Sequence, residues 1–435
     1  MSTKHRLYLK QAWNLMKQNR LFTSIYIAAT GLSIALVMTL FIIFYVKFAP
    51  IYPEYNRNRI LTISTSMRVD KNNEGNWSCN SGVSYYFVSE YLQKLKHAEA
   101  VAAVETNNGT TLASKVGDKK AVKTFLRYVN ADFWQVFTFQ FLAGRGFSPE
   151  EQEAVQPVVV LSESFARRIF AHSAPLGEKV FFNGKEFTVI GVVKDPSNAT
   201  PYATADAWTP ITHNASSFIN KEHMGFMGGI HAFMLASDKK ELRREVLDMI
   251  DRYNQQDSVY RHEFFGQPDD YWMSTFRTGN NDEYGFSFWS LMKNYIFILI
   301  ALIFIPALNL SGMISNRMDS RMSELGVRRA YGASSREIIR QVLWENLLLT
   351  ATGSLLGLAL SYLIILTTSD WILHLFDGVV TGSGSEINVT FEMLFNPIVF
   401  GSALLFCVLL NLISALIPTV WALKHSIINS IHSKR

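Results

Sequence analysis

Four long apolar runs interrupt an otherwise mixed chain, at residues 21–47, 288–310, 341–367 and 397–420. Each is long enough to cross roughly 30 Å of hydrocarbon at about 1.5 Å per residue. The first is free of charge from Leu21 to Val46 and has no small-residue cleavage pattern behind it, so it predicts an anchor rather than a cleaved signal sequence. One such run alone could be a buried core helix. Four together, with the charge pattern described below, predict four transmembrane helices.

Between the first two runs, residues 48–287 alternate in a different way. Pro50 and Pro53 end the first helix. Residues 59–67 are rich in β-branched side chains and predict one strand, followed by a polar loop over 70–82. Residues 84–97 predict a helix capped by Ser84, and short strands are expected near 100–105, 109–115 and 122–129. Residues 157–161 predict a strand that runs into a helix capped by Ser162. Residues 178–193 predict a hairpin, because Asn183-Gly184 joins two alternating segments. A strand over 230–236 and a charged amphipathic helix over 238–253 complete a large extracytoplasmic α+β domain without a βαβ rhythm. The glycine- and methionine-rich residues 210–232 are expected to form a loop, with a mobile contact surface as the alternative.

Charge orients these segments. Residues 1–20, which predict a short interfacial helix, carry five basic side chains and no acid. Residues 311–340 carry six arginines against three acids, and the tail 421–435 adds Lys424, Lys434 and Arg435. Residues 368–396 hold four acids and no base, and 48–287 hold 25 basic against 28 acidic residues. The positive-inside asymmetry puts both termini and the 311–340 segment in the cytoplasm, with 48–287 and 368–396 on the far side. The net charge of +5 is therefore the sum of a basic cytoplasmic face and a mildly acidic outer one, and implies no nucleic-acid partner. Cys79 and Cys407 fall in different compartments and cannot pair within one chain.

Within the spans, Pro306 predicts a kink in the second and Gly353 with Gly357 a close helix contact in the third. Glu345 either enters the membrane or stays at headgroup depth near Arg336 or Arg340. In 311–340, Glu324 precedes Arg328 by one helical turn, and Gly332 ends that helix. Ser334 with Glu337 forms a capping box for the helix leading into the third span. The segment therefore predicts an ordered helix-turn-helix elbow, either docked on a cytoplasmic protein or solvated.

Glu324, Leu325, Gly326, Arg329, Ala330, Gly332 and Ala333 stand in the stretch ELGVRRAYGA, which closely resembles the signature of the FtsX-like permease family of ABC transporters. Segments 129–151, PVVVLSESFARRIF and PLGEKVFFNGKEFTVIGVVKD resemble that family's MacB-like periplasmic core domain, and IPTVWALKHSIINSI its ending, although the usual arginine of the tail is missing. The resemblance implies a multi-pass inner-membrane permease with a periplasmic core domain, which binds no cofactor directly and depends on ATP used by a separate ABC ATPase subunit. It implies a homodimer or a heterodimer with a related permease, and a periplasmic or outer-membrane partner. The elbow, with Glu324, Leu325, Gly326, Arg328, Arg329, Ala330, Gly332 and Ala333, would dock on the ATPase. Members of the family export substrates, handle lipoproteins or transmit force to wall enzymes.

The residues themselves agree on one point: no GxxxxGK[ST] loop is present, so ATP chemistry must come from a partner. The histidines scattered over 172–231 form no ligand pair, and Asp269-Asp270 and Glu151 with Glu153 read as solvated carboxylates, so no catalytic or metal centre is expected. The competing reading is a membrane-bound sensor or scaffold without ATP-driven motion. It lacks a cytoplasmic segment large enough for a transmitter domain.

Overall fold

The computed structural model describes residues 20–80, 82–106, 110–117, 120–171, 173–196, 200–214, 225–274 and 331–376, with isolated helical positions among 10–17, 289–297 and 401–420 and at 327. The chain divides into two compact units. One comprises residues 1–45, 289–372 and 391–435, and the other 46–288 with 373–390.

The long elements described in the first unit are two helices, α1 (Arg20–Phe48) and the 42-residue helix Ser335–Phe376, whose last few residues belong to the second unit. Within the latter, residues 335–364 are long and apolar enough to cross a membrane, the one such helix among the described residues. The apolar part of α1 is the shorter stretch Thr23–Thr39. The expected second and fourth spans, including Pro306, lie outside the described residues apart from isolated helical positions. So does most of the expected interfacial helix.

In the second unit, β1 (Ile60–Ile63), β2 (Ser66–Asp70) and β3 (Asn73–Asn80) precede α2 (Tyr85–Glu90). β4 (Ala100–Glu105), β5 (Thr110–Lys115) and β6 (Val122–Val129) lead to α3 (Phe133–Val136), β7 (Phe141–Gly144) and α4 (Pro149–Glu153). β8 (Val158–Ser162), α5 (Glu163–Phe170), β9 (Lys179–Phe182), β10 (Lys185–Val193) and β11 (Ala207–Pro210) follow. The unit continues through β12 (Ile230–Leu235), α6 (Lys239–Gln256), β13 (Tyr260–Glu263), β14 (Asp269–Asp270) and α7 (Tyr271–Ser274). The helix Ser335–Phe376 of the first unit is α8.

Six strands, in the order β11-β8-β10-β9-β5-β6, close into a barrel because β11 pairs with β6 in parallel, Ala207 opposite Leu126. Closure removes the free edges of these strands. Phe182, Phe187, Val159 and Leu161 fill it together with Phe165 and Phe170 of α5. β4-β12-β1-β14 continue outward from β6 through the single pair Val104↔Val129. This arm is buried on both faces, which is why AVAAVE and IHAFML read as continuous apolar runs. α2 and α6 cover one face. The other packs on an aromatic turn, Phe133 to Phe139, in a core that includes Val158, Val193 and Trp208 of the barrel.

Several expected local elements are present. Ser84 and Ser162 cap α2 and α5, and Asn183 and Gly184, both at positive φ, turn the β9-β10 hairpin. Others differ. The single strand expected over 59–67 is two strands in different sheets. The buried Gln267 takes over the backbone at the break, accepting from Ser64 N (2.6 Å) and donating to Thr65 O (3.0 Å). The polar stretch 70–82 is largely β3, paired with β2 in a separate three-stranded sheet with β13. The helix expected over 84–97 ends at Glu90 and gives way to a 3-10 turn over Leu92–Lys94. The expected α+β domain also contains two parallel pairs, β8/β10 and β6/β11, with their crossovers. Residues 215–224 of the expected 210–232 loop are not described, but Phe226 and Met227 are core residues and 230–235 are strand.

Candidate functional site

Tyr331 N donates to the Val327 carbonyl, and Gly332 follows at φ +92°. Ala333 follows, and α8 then starts in a reciprocal cap: Glu337 N donates to Ser334 Oγ and Ser334 N to Glu337 Oε2, both at 3.3 Å. Glu324, Leu325, Gly326, Arg328, Arg329 and Ala330 lie outside the described residues.

Farther along α8, Gly353 and Gly357 face α1. A β-carbon at Gly353 would lie 2.9 Å from Thr30 Cγ2, and one at Gly357 would lie 2.7 Å from the Gly31 carbonyl oxygen. The third glycine of this crossing, Gly31, stands alone in sequence, and no spacing singles it out. α8 also buries the polar side chains Gln341, Glu345, Asn346, Thr350, Ser354 and Ser361. Gln341 Nε2 donates to Glu345 Oε1 (3.1 Å), and Tyr26 on α1 donates to Asn346 Oδ1 (3.2 Å). Polar side chains that pair across apolar helices fix their rotation, because no water competes for them.

Where the chain runs on from α1, a charged cluster is buried. Arg57 Nε donates to Glu54 Oε2 at 2.8 Å, the Tyr271 hydroxyl donates to the same oxygen, and the guanidinium lies 4.9 Å from the Tyr271 ring centre. Burial opposes the Arg57 charge, but Tyr271 and Glu54 outweigh it and its pKa is raised, while burial pushes the Tyr271 hydroxyl well up. Two prolines followed by Glu-x-x-Arg are a local hint of this cluster. Tyr271, 217 residues away, has no sequence signal.

Three of the four carboxylates expected to be solvated are engaged. Asp269 is buried, and Asp270 accepts from Lys239 (2.5 Å) and Arg243 (3.2 Å). Glu151 accepts from Arg145 and closes the Ser148 cap of α4, whereas Glu153 is exposed. Among the described residues, no group of three or more His, Cys, Asp or Glu side chains could hold a metal.

One chain holds a helix long and apolar enough to cross a membrane and a large α+β domain, the combination expected of a membrane protein with an extracytoplasmic domain, and the family matches agree. Residues 23–251 match the MacB-like periplasmic core domain and residues 296–427 the FtsX-like permease C-terminal domain. The first match spans more than half of the chain, which therefore belongs to the family of MacB-like, FtsX-like permeases. It is 21% identical to the uncharacterized ABC transporter permease YknZ of Bacillus subtilis (strain 168), over 65% of this chain and 67% of that protein. It is 23% identical to the macrolide export ATP-binding/permease protein MacB of Shewanella sp. (strain W3-18-1), over 62% of this chain but only 39% of the relative's length. Among solved structures, the periplasmic region of MacB from Actinobacillus actinomycetemcomitans matches 46% of this chain and 88% of its own, at 19% identity and a TM-score of 0.32.

Proposed function

We propose that this chain is the membrane subunit of an ABC-type system, in which a separate cytoplasmic ATPase drives motion of the periplasmic domain for export, lipoprotein handling or force transmission. In this reading the chain crosses the inner membrane four times, with the spans and loops bounded as its apolar runs suggest. Both termini and the elbow are cytoplasmic, and residues 48–287 are periplasmic. Two permease chains, identical or related, pair around the ATPase dimer, and a periplasmic or outer-membrane partner receives the motion. The observation that carries this reading is the union in one chain of a MacB-like core domain and an FtsX-like permease domain, with no phosphate-binding loop of its own.

Glu324, Leu325, Gly326, Arg328, Arg329, Ala330, Gly332 and Ala333 are the proposed ATPase-coupling surface, supported by the capped start of α8 directly behind them. Gly353 and Gly357 serve as packing positions, and Pro306 as the kink through which the second span responds. Co-purification with the ATPase encoded beside its gene tests the reading. Wild-type chain is expected to elute with the ATPase and change its turnover, and the E324K/R329E variant to insert in the membrane but elute alone. A wild-type chain that elutes alone and leaves turnover untouched turns the reading toward a scaffold without ATP-driven motion.

A further inference from the structure

Residues 51–57, between the end of α1 and β1, form no helix turn longer than three residues and no strand, yet Ile51, Pro53, Glu54 and Arg57 are buried. Short polar connections ordinarily run over the surface. This one makes bonds in three directions. Toward the outgoing chain, Glu54 and Arg57 hold Tyr271 at the start of α7. Toward the aromatic turn, Pro53 O accepts from Thr138 N (2.9 Å) and Asn56 Nδ2 donates to Val136 O (3.1 Å). Toward the barrel, the Tyr52 hydroxyl donates to Lys194 O (2.9 Å), just past β10, and accepts from Gln140 N (3.2 Å), just before β7. The segment is also closed on itself, since Arg57 Nη1 donates to Ala49 O at 2.8 Å.

The ion pair is a costly way to build such a junction. Both side chains are almost fully desolvated, and Glu54 Oε1 has no hydrogen-bond partner among the described residues. A well-packed apolar pair often matches or exceeds the stability of a buried ion pair, so what the pair adds is directional bonding.

We infer that residues 52–57 are a positioning hub, a single buried junction that ties the chain arriving from α1 and the chain leaving through α7 to the aromatic turn and to the barrel. A displacement delivered along either connection then moves all of these parts as one body. Its functional meaning rests on the ATP-driven reading above, but the mechanical claim can be tested separately.

The test is hydrogen exchange on the full-length chain in lipid nanodiscs, with the ATPase present and its turnover measured in the same samples. The E54Q/R57M variant removes both charges at similar volume. The hub predicts exchange faster by about tenfold at residues 138–140 and 194, which are bonded through Pro53 O and the Tyr52 hydroxyl, with β5 unchanged. Tyr52→Phe removes one hydroxyl and is expected to loosen residues 269–274, where Glu54 and Arg57 hold Tyr271. Changes confined to the segments each side chain contacts overturn the hub, as does equal acceleration of β5, which marks a purely stabilising role. Turnover that ignores the wild-type chain sinks the ATP-driven reading, while the exchange pattern still decides the hub.

Discussion

Gly31 and Gly353 meet backbone to backbone: a β-carbon on Gly31 would lie 3.2 Å from the Gly353 carbonyl oxygen and 2.9 Å from Leu356 Cδ2. Between apolar helices in lipid, such closeness supplies the packing that the hydrophobic effect does not.

The two glycines on α8 are expected to differ in their tolerance of alanine. At Gly357 the new methyl would meet the Gly31 carbonyl at 2.7 Å, an atom that only a backbone shift can move, whereas at Gly353 it meets the Thr30 methyl. Gly357→Ala should cost about 1–3 kcal/mol, as overpacking does, and Gly353→Ala less. Thermal unfolding of the detergent-purified chain ranks the two, and an equal or reversed ranking would contradict this geometry.

The Tyr26–Asn346 hydrogen bond crosses from α1 to α8. A double-mutant cycle of Tyr26→Phe and Asn346→Leu is expected to return a coupling energy of about 0.6 kcal/mol, with about 1.7 as the upper bound for bonds of this kind. A coupling of zero would mean that the pair is incidental to helix packing.

His262 makes the outer domain sensitive to acid. Burial pushes its pKa down to about 4, a shift that Arg68 reinforces and Asp257, 4.0 Å away, only partly opposes. Its Nδ1 has no hydrogen-bond partner among the described residues. The folded-state pKa lies below the unfolded value, so the unfolded chain binds the extra proton. Stability is full above about pH 6.5 and falls as the pH drops toward 4. At pH 5 the loss should be about 2 kcal/mol relative to pH 7.5. Chemical denaturation at the two pH values measures it, and His262→Gln should flatten the difference. An unchanged slope in that variant would assign the effect to another group.

What could be read from the sequence follows how locally each feature is determined. Ser84, Ser162 and Ser334 announce helix starts because a cap is a contact over three residues, and Asn183-Gly184 announces its hairpin because positive φ is a property of the residues themselves. The long apolar helix at 335–364 was legible because hydrocarbon thickness sets its length. The break between β1 and β2 was not, since the groups freed at Ser64 and Thr65 are satisfied by Gln267, some two hundred residues away. Nor was the barrel, which closes where Leu126 meets Ala207. Asp270 looked like a surface carboxylate until α6 brought Lys239 and Arg243 to it. Gly31 and Tyr271 have no local pattern at all. Each matters through a partner that only the folded chain supplies, because close packing and buried charge are properties of neighbours in space.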